Sequence, residues 1–239
     1  MARNIEAAFA DELARFDRPS PRVRVAGWLR ELAFIVVAAL LLSVLFKLFL
    51  VRAFYIPSAS MESTLDVDDR ILVNQLSPGL MPLERGDIVV FNDPGGWLPE
   101  TEQENSVVGG ALTFIGLLPQ DAGEQVVKRV IGLPGDRIEC CSADGNLIVN
   151  GQPIREKYVH RGSPPSDIAF DVEVPDDRIW VMGDNRSNSA DSRYHMDQQG
   201  HGTIPVSSVV GTVFVINWPL ERFRWISNPA DVFAHVPES

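Results

Sequence analysis

Cysteine and histidine are both scarce in this 239-residue chain, at two and four copies. Two thiols cannot build a disulfide-stapled scaffold or a four-thiolate zinc site. Histidines scattered at 160, 195, 201 and 235 do not form a metal cluster, so neither metal nor cofactor is expected. Positive charge is in deficit, with 21 Lys+Arg against 32 Asp+Glu and a net charge of −11. That balance argues against a nucleic-acid binder, whose affinity rests on neutralising phosphates. There are no heptads, no fixed-period repeat and no long helical pattern after residue 55. What is present is 45% apolar residues, enough for a core and against disorder as the dominant state. The 17 Pro and 18 Gly punctuate that material into short elements.

One apolar run is long. Leu32–Phe46 reads LAFIVVAALLLSVLF, with Ser43 its one polar member, and continues past Lys47 to Leu50. Nineteen helical residues span roughly 28 Å, about one hydrocarbon core, and Lys47 near the end can snorkel. A buried core helix would carry a polar face over this length. A cleavable signal peptide fits poorly, because thirty residues precede the run and no small-x-small site follows it closely. Arg18, Arg22, Arg24 and Arg30 precede the span, so the positive-inside rule favours a cytoplasmic N-terminus. The expected organisation is a cytoplasmic segment over 1–31, a single transmembrane helix over 32–51 in the plasma membrane, and an extracytoplasmic domain over 52–239.

Beyond the anchor the pattern is mainly β. Strands are expected at Arg70–Gln75, Ile88–Asn92, Gln125–Gly132, Arg137–Glu139, Leu147–Val149, Ile168–Val174, Ile179–Met182 and Val209–Asn217. Turn signals such as Pro134-Gly135-Asp136 and Asp144-Gly145-Asn146 separate them. Two stretches read as insertions. Residues 94–123 are Gly- and acid-rich and contain the apolar patch Leu112–Leu118, either a short buried segment or a membrane-facing loop. Residues 139–177 read as a small hairpin-rich subdomain. Cys140 and Cys141 are neighbours, either two reduced thiols or a redox-sensitive vicinal pair. Trp218, Phe223 and Trp225 lie close to Arg222 and Arg224, an arrangement that suits a lipid interface or plain core packing equally.

Chemistry concentrates in three stretches. In a strand over 125–132, Val126, Lys128 and Val130 share one face, and Val127, Arg129 and Ile131 the other. Whichever face is buried takes a cation with it. A desolvated lysine titrates well below its usual range and can serve as a general base. A hydroxyl nucleophile needs such a base at neutral pH. Ser60 stands in the turn-rich segment Ile56–Leu65, and Ser58, two residues earlier in extended chain, points the same way, so its O–H and the Ser60 N–H can form an oxyanion hole. The third stretch, Met182–Arg193, is dense in Asp, Asn, Ser and Arg.

Together these stretches resemble the bacterial type I signal peptidases, membrane-anchored Ser/Lys endopeptidases. The resemblance rests on the anchor, PSASMESTL at Pro57–Leu65, GDIVVF at Gly86–Phe91, VKRVIGLPGD at Val127–Asp136, GDNRSNSADSR at Gly183–Arg193 and the strand begun by Gly211-Thr212-Val213, in one order over about residues 30–225. It implies Ser60 as nucleophile, Lys128 as general base, Ser58 as oxyanion donor and Ser189 as the serine that hydrogen-bonds and orients the lysine. Asp191 and Arg193 match a supporting salt bridge, and Asp184, Asn185 and Arg186 match turn-formers and positioners. Ser187 departs from the commonest pattern, where an Asp is frequent. The resemblance further implies cleavage of exported preproteins after a small-x-small motif. Two shallow pockets lined by Phe54, Ile56, Met61, Leu65, Ile71 and Val127 would receive the small residues, with the substrate added as a strand beside Ile56–Ser60. Expected partners are preprotein signal peptides, membrane phospholipid and the secretion translocon.

Two rivals stand beside this reading. A Ser-His-Asp hydrolase would use Asp191 with His195 or His201. A non-enzymatic anchored β-domain would leave Lys128 and the 183–193 loop without a role. Self-cleaving Ser/Lys repressors share a similar β fold but carry a DNA-binding N-terminus, which residues 1–31 do not resemble.

Overall fold

The structure, a computed structural model, describes residues 21–98 and 125–238. It divides into one compact unit ending at Phe46 and another beginning at Lys47. Helix α1 (Pro21–Phe49), most of which belongs to the first, opens with a proline at its first position, where the missing N–H costs nothing. Its Gly27–Val44 stretch has a mean hydropathy of 1.9, and the side chains from Trp28 to Val44 are exposed. Among the described residues nothing covers them, as befits a helix long and apolar enough to cross a membrane.

The expected end of the span at residue 51 needs correction. Val51 opens strand β1 (Val51–Tyr55), which pairs antiparallel with β2 (Arg70–Asn74) in the register Phe54↔Ile71. The sequence VRAFY looks like the exit of a membrane segment, but its hydrogen bonds go to a strand some twenty residues away. Local periodicity does not show such a partner.

Six further strands complete the large sheet. They are β3 (Ile88–Asn92), β4 (Gln125–Gly132), β9 (Arg178–Met182), β10 (Ile204–Pro205), β11 (Val209–Trp218) and β12 (Arg224–Trp225). The order is β1-β2-β11-β3-β4-β9-β10, antiparallel throughout, with β12 on β11. A second sheet, β7-β6-β5-β8, is built from β5 (Arg137–Cys140), β6 (Leu147–Val149), β7 (Gln152–Pro153) and β8 (Phe170–Glu173). A single helical turn, α2 (Ala230–Phe233), follows β12. Cys140 and Cys141, at the end of β5, are joined by a disulfide, the oxidised form of the vicinal pair.

The central strands are buried on both faces, which is why β3 reads as a nearly continuous apolar run. Ile88 and Val90 pack with Phe54, Ile56, Met61, Leu65 and Ile71. Val89 and Phe91, from the other face, pack with Trp97, Val126, Val130 and Val181. A third cluster, around Ile138, Leu147 and Trp180, joins the second sheet to the first. Both cations of β4 are therefore buried, Lys128 at 4% and Arg129 at 2% exposure, on opposite faces of one strand. Most of the insertion expected at 94–123, with its patch Leu112–Leu118, lies outside the described residues.

Candidate active site

The sheet order leaves a working edge on β4. Its ladder with β9 begins at Arg129↔Met182, where β9 ends, while its ladder with β3 runs on to Asn92↔Gln125. Residues 125–128 thus have a paired side and, among the described residues, an open side toward the end of β9. A short 3₁₀ turn, Ala59–Met61, carries Ser60 to that opening.

There the Lys128 Nζ donates to Ser60 Oγ at 2.7 Å, with both residues buried. Burial, the largest influence, pushes the Lys128 amine down to about 8 from its ordinary 10.5; Asp191 and Asp184 pull it back upward, and Arg193 pushes it further down. Ser58 is extended, at φ −125° and ψ 152°, and its Oγ lies 3.3 Å from Ser60 Oγ. The side-by-side geometry expected of residues i and i+2 is present.

The 183–193 loop braces this turn from behind. The Asn185 N–H donates to the Ser60 carbonyl at 3.0 Å, and its side-chain amide reaches the Ala59 carbonyl at 3.2 Å and Glu62 Oε2 at 3.0 Å. Thr64 donates its hydroxyl to Asp184 Oδ2 at 2.5 Å. Asp184 in turn takes both arms of Arg129, Nε at 2.8 Å and Nη2 at 2.6 Å. Arg129 also donates to the Gly86 carbonyl at 2.6 Å and lies 4.0 Å from the centre of the Tyr158 ring. Asp191 is held by Arg193 at 2.8 Å through Nε and 2.9 Å through Nη2, and accepts the Gly183 N–H at 2.9 Å. Arg186, fully buried, forks onto Glu156 at 2.6 and 2.8 Å. Each buried charge in this set is paired and hydrogen-bonded, the condition under which such burial is tolerable.

Gly183 carries no signal beyond its place in the motif, yet the packing depends on it. A Cβ there would stand 2.2 Å from Ser189 Oγ and 2.5 Å from the Ser60 carbonyl oxygen. Thr64, Arg129 and Glu156 are likewise contributors that pattern reading does not single out. Their partners lie tens of residues away, and only the buried Lys-Arg dipeptide hinted at one of them.

The structure departs from two expectations. Ser189 is buried at the end of the short 3₁₀ turn Arg186–Asn188, but its hydroxyl makes no hydrogen bond among the described groups. It packs against Gly183, while the lysine donates to Ser60, so the expected Ser189–Lys128 bond is not formed. Of the six residues expected to line substrate pockets, Ile56, Met61 and Val127 do line a cleft of about 240 Å³ that also holds Ser58, Ser60 and Lys128. Phe54, Leu65 and Ile71 are wholly buried behind them in the same apolar cluster, a second layer set by strand pairing rather than the wall itself.

The Ser-His-Asp alternative has no geometry behind it. His195 stacks on Trp97 with ring centres 4.3 Å apart, and neither ring nitrogen is hydrogen-bonded to Ser60 or Asp191. Asp191 is occupied by Arg193. Among the described residues no group of three or more His, Cys, Asp or Glu is arranged to hold a metal ion.

A buried amine in hydrogen-bonding contact with a hydroxyl, at the edge of an antiparallel sheet, is an arrangement that can activate a nucleophile. Comparison with known proteins narrows it. The family model for signal peptidase, peptidase S26, matches residues 29–218. A probable signal peptidase I of Mycobacterium leprae is 36% identical over 87% of this chain and 82% of its own length. A signal peptidase I of Mycobacterium tuberculosis H37Rv is 38% identical over 88% of this chain and 79% of its own. A crystal structure of a signal peptidase I from Enterococcus faecalis V583 aligns at 27% identity over 54% of this chain and 95% of its own, with a TM-score of 0.36. The chain belongs to the signal peptidase family S26. Family and apolar N-terminal helix together mark a membrane-anchored peptidase.

Proposed function

We propose that this protein is a serine endopeptidase that removes signal peptides from exported preproteins through a Ser60/Lys128 dyad. The contact that carries the reading is the 2.7 Å bond between a buried, pKa-depressed amine and a hydroxyl. The neutral Lys128 amine accepts the Ser60 proton as Oγ attacks the scissile carbonyl. The oxyanion is held by the Ser60 N–H and the Ser58 hydroxyl. The protonated lysine then gives its proton to the leaving amine. The acyl-enzyme is hydrolysed by a water that Lys128 deprotonates. Ser189, Asp191 and Arg193 keep the lysine's surroundings fixed, and the unpaired Ser189 hydroxyl is available to accept from the ammonium once Ser60 has been acylated.

An extended substrate has a place to add, between the Ile56–Ser60 segment and the open side of β4, so that β-addition supplies main-chain affinity. Ile56, Met61 and Val127, backed by Phe54, Leu65 and Ile71, leave room for small residues before the cut. The β-unit lies outside the cytoplasm with the N-terminus inside. The exposed Trp218, Leu220, Phe223 and Trp225 suit contact with phospholipid, and the translocon is the source of substrate. Incubation of the detergent-solubilised full chain with a preprotein tests the reading. Cleavage after a small-x-small motif is expected, with Ser60→Ala and Lys128→Ala inactive and His195→Ala still cutting. A His195→Ala variant as dead as Lys128→Ala would restore the histidine mechanism instead.

A further inference from the structure

The cleft has two sides, and the small-x-small rule uses only one of them. Val127 points toward the cluster of Ile56, Met61, Phe54 and Ile71. Val126 and Lys128 point the other way, as residues one step along a strand must. On that opposite side stand Trp97 and Leu98, which line the same cleft. Trp97 packs with Val126 and meets Phe91 edge to face at 5.6 Å. Its other support is His195, whose ring lies nearly parallel to the indole, 4.3 Å away at 12°. That histidine follows the 3₁₀ turn Ser192–Tyr194 and is itself buried. Its visible role is to hold the indole flat from behind. Trp97 is 9% exposed and packed on Phe91, Val126 and His195.

A peptide added along β4 obeys the same alternation. Residues paired across two strands share a face, and successive side chains go to opposite faces. If the first and third residues before the cut face Ile56, Met61 and Val127, the residue between them faces Trp97, Leu98 and Val126. We infer that Trp97, backed by His195, forms an apolar subsite for the middle residue of the small-x-small motif and makes the enzyme selective at that position for large apolar or aromatic side chains. The inference rests on the strand-addition reading of the same cleft. It adds a determinant from a segment, Asp93–Leu98, that the chemical motifs do not include.

Peptides carrying Ala-x-Ala before the cut, with x as Gly, Leu or Phe, test it on the full-length enzyme in detergent. For the wild type kcat/KM is expected to be about tenfold higher for Leu or Phe than for Gly, the worth of one well-packed apolar side chain. Trp97→Ala should erase that ratio by lowering the Leu and Phe peptides about tenfold more than the Gly peptide, and Trp97→Phe should keep most of it. His195→Ala should lower the ratio less than Trp97→Ala does, and His195→Phe, which preserves a stacked ring, should restore it. The subsite is refuted if Trp97→Ala lowers all three peptides equally, or if the wild type shows no preference at x while cleaving normally. If the wild type cuts none of these peptides and no preprotein either, the peptidase reading falls and takes the subsite with it.

Discussion

Lys128 is 4% exposed, and its amine is held down to about 8. At pH 7 about a tenth of it is therefore neutral, against well under a thousandth for a lysine in water. In the mechanism proposed above the active form is the free base, whose population grows as pH rises. Below pH 8, kcat/KM should climb about tenfold per pH unit and then level off, a profile that stopped-time assays of wild-type cleavage can trace. The same burial weighs on stability. Between about 8 and 10.5 the unfolded chain binds a proton that the folded one does not, so stability rises with pH across that window, and the penalty is complete below it. The gap corresponds to about 3 kcal/mol. Lys128→Met should abolish cleavage and yet raise the urea midpoint at pH 7, with the advantage shrinking by pH 10. Asp191 and Asp184 keep their own arginines in that variant, so it leaves no orphaned charge.

Strand β4 joins the site to the scaffold through its alternation, with the base on one face and Arg129 on the other. Arg129 fastens the strand to the 183–193 loop through Asp184, and that loop holds the Ser60 turn through Asn185. Breaking a buried ion pair by removing one partner leaves the other uncompensated. Asp184→Ala should cost about 3–5 kcal/mol in urea unfolding, several times the loss from removing Asp231, which pairs with Lys157 in the open. This element-level coupling was only half legible in the sequence. The Lys-Arg dipeptide in a strand pattern required one buried cation. That both are buried follows from the sheet having packed layers on each side, which a single strand's pattern does not disclose.

Across the whole chain, the unit boundary falls at Lys47, and the first strand begins at Val51. Strand β1 contributes Phe54 to the central cluster and shields one edge of β2. A chain beginning at Lys47 should therefore keep the folded β-unit and cut soluble peptides. One beginning at Ile56 should lose β1, uncover Ile71 and Val73, and unfold at lower urea. Circular dichroism and peptide cleavage on the two truncations distinguish these outcomes. A truncation from Ile56 with an unchanged midpoint would show β1 to be dispensable.

The sequence alone determined the anchor, because a run of apolar residues with no polar face can be satisfied only by lipid. It determined most strands too: Ile88–Asn92, Gln125–Gly132 and Leu147–Val149 end where their turn residues say they must. Its ordered motifs also singled out Ser60 and Lys128, two side chains that the fold brings into hydrogen-bonding contact. Tertiary structure alone decided that β1 pairs with β2, that Gly183 must lack a side chain, and that Ser189 leaves the lysine to Ser60. It also set Trp97 against His195 beside the cleft. Each of these depends on atoms brought together from distant parts of the chain, and periodicity reports only what a residue's near neighbours require.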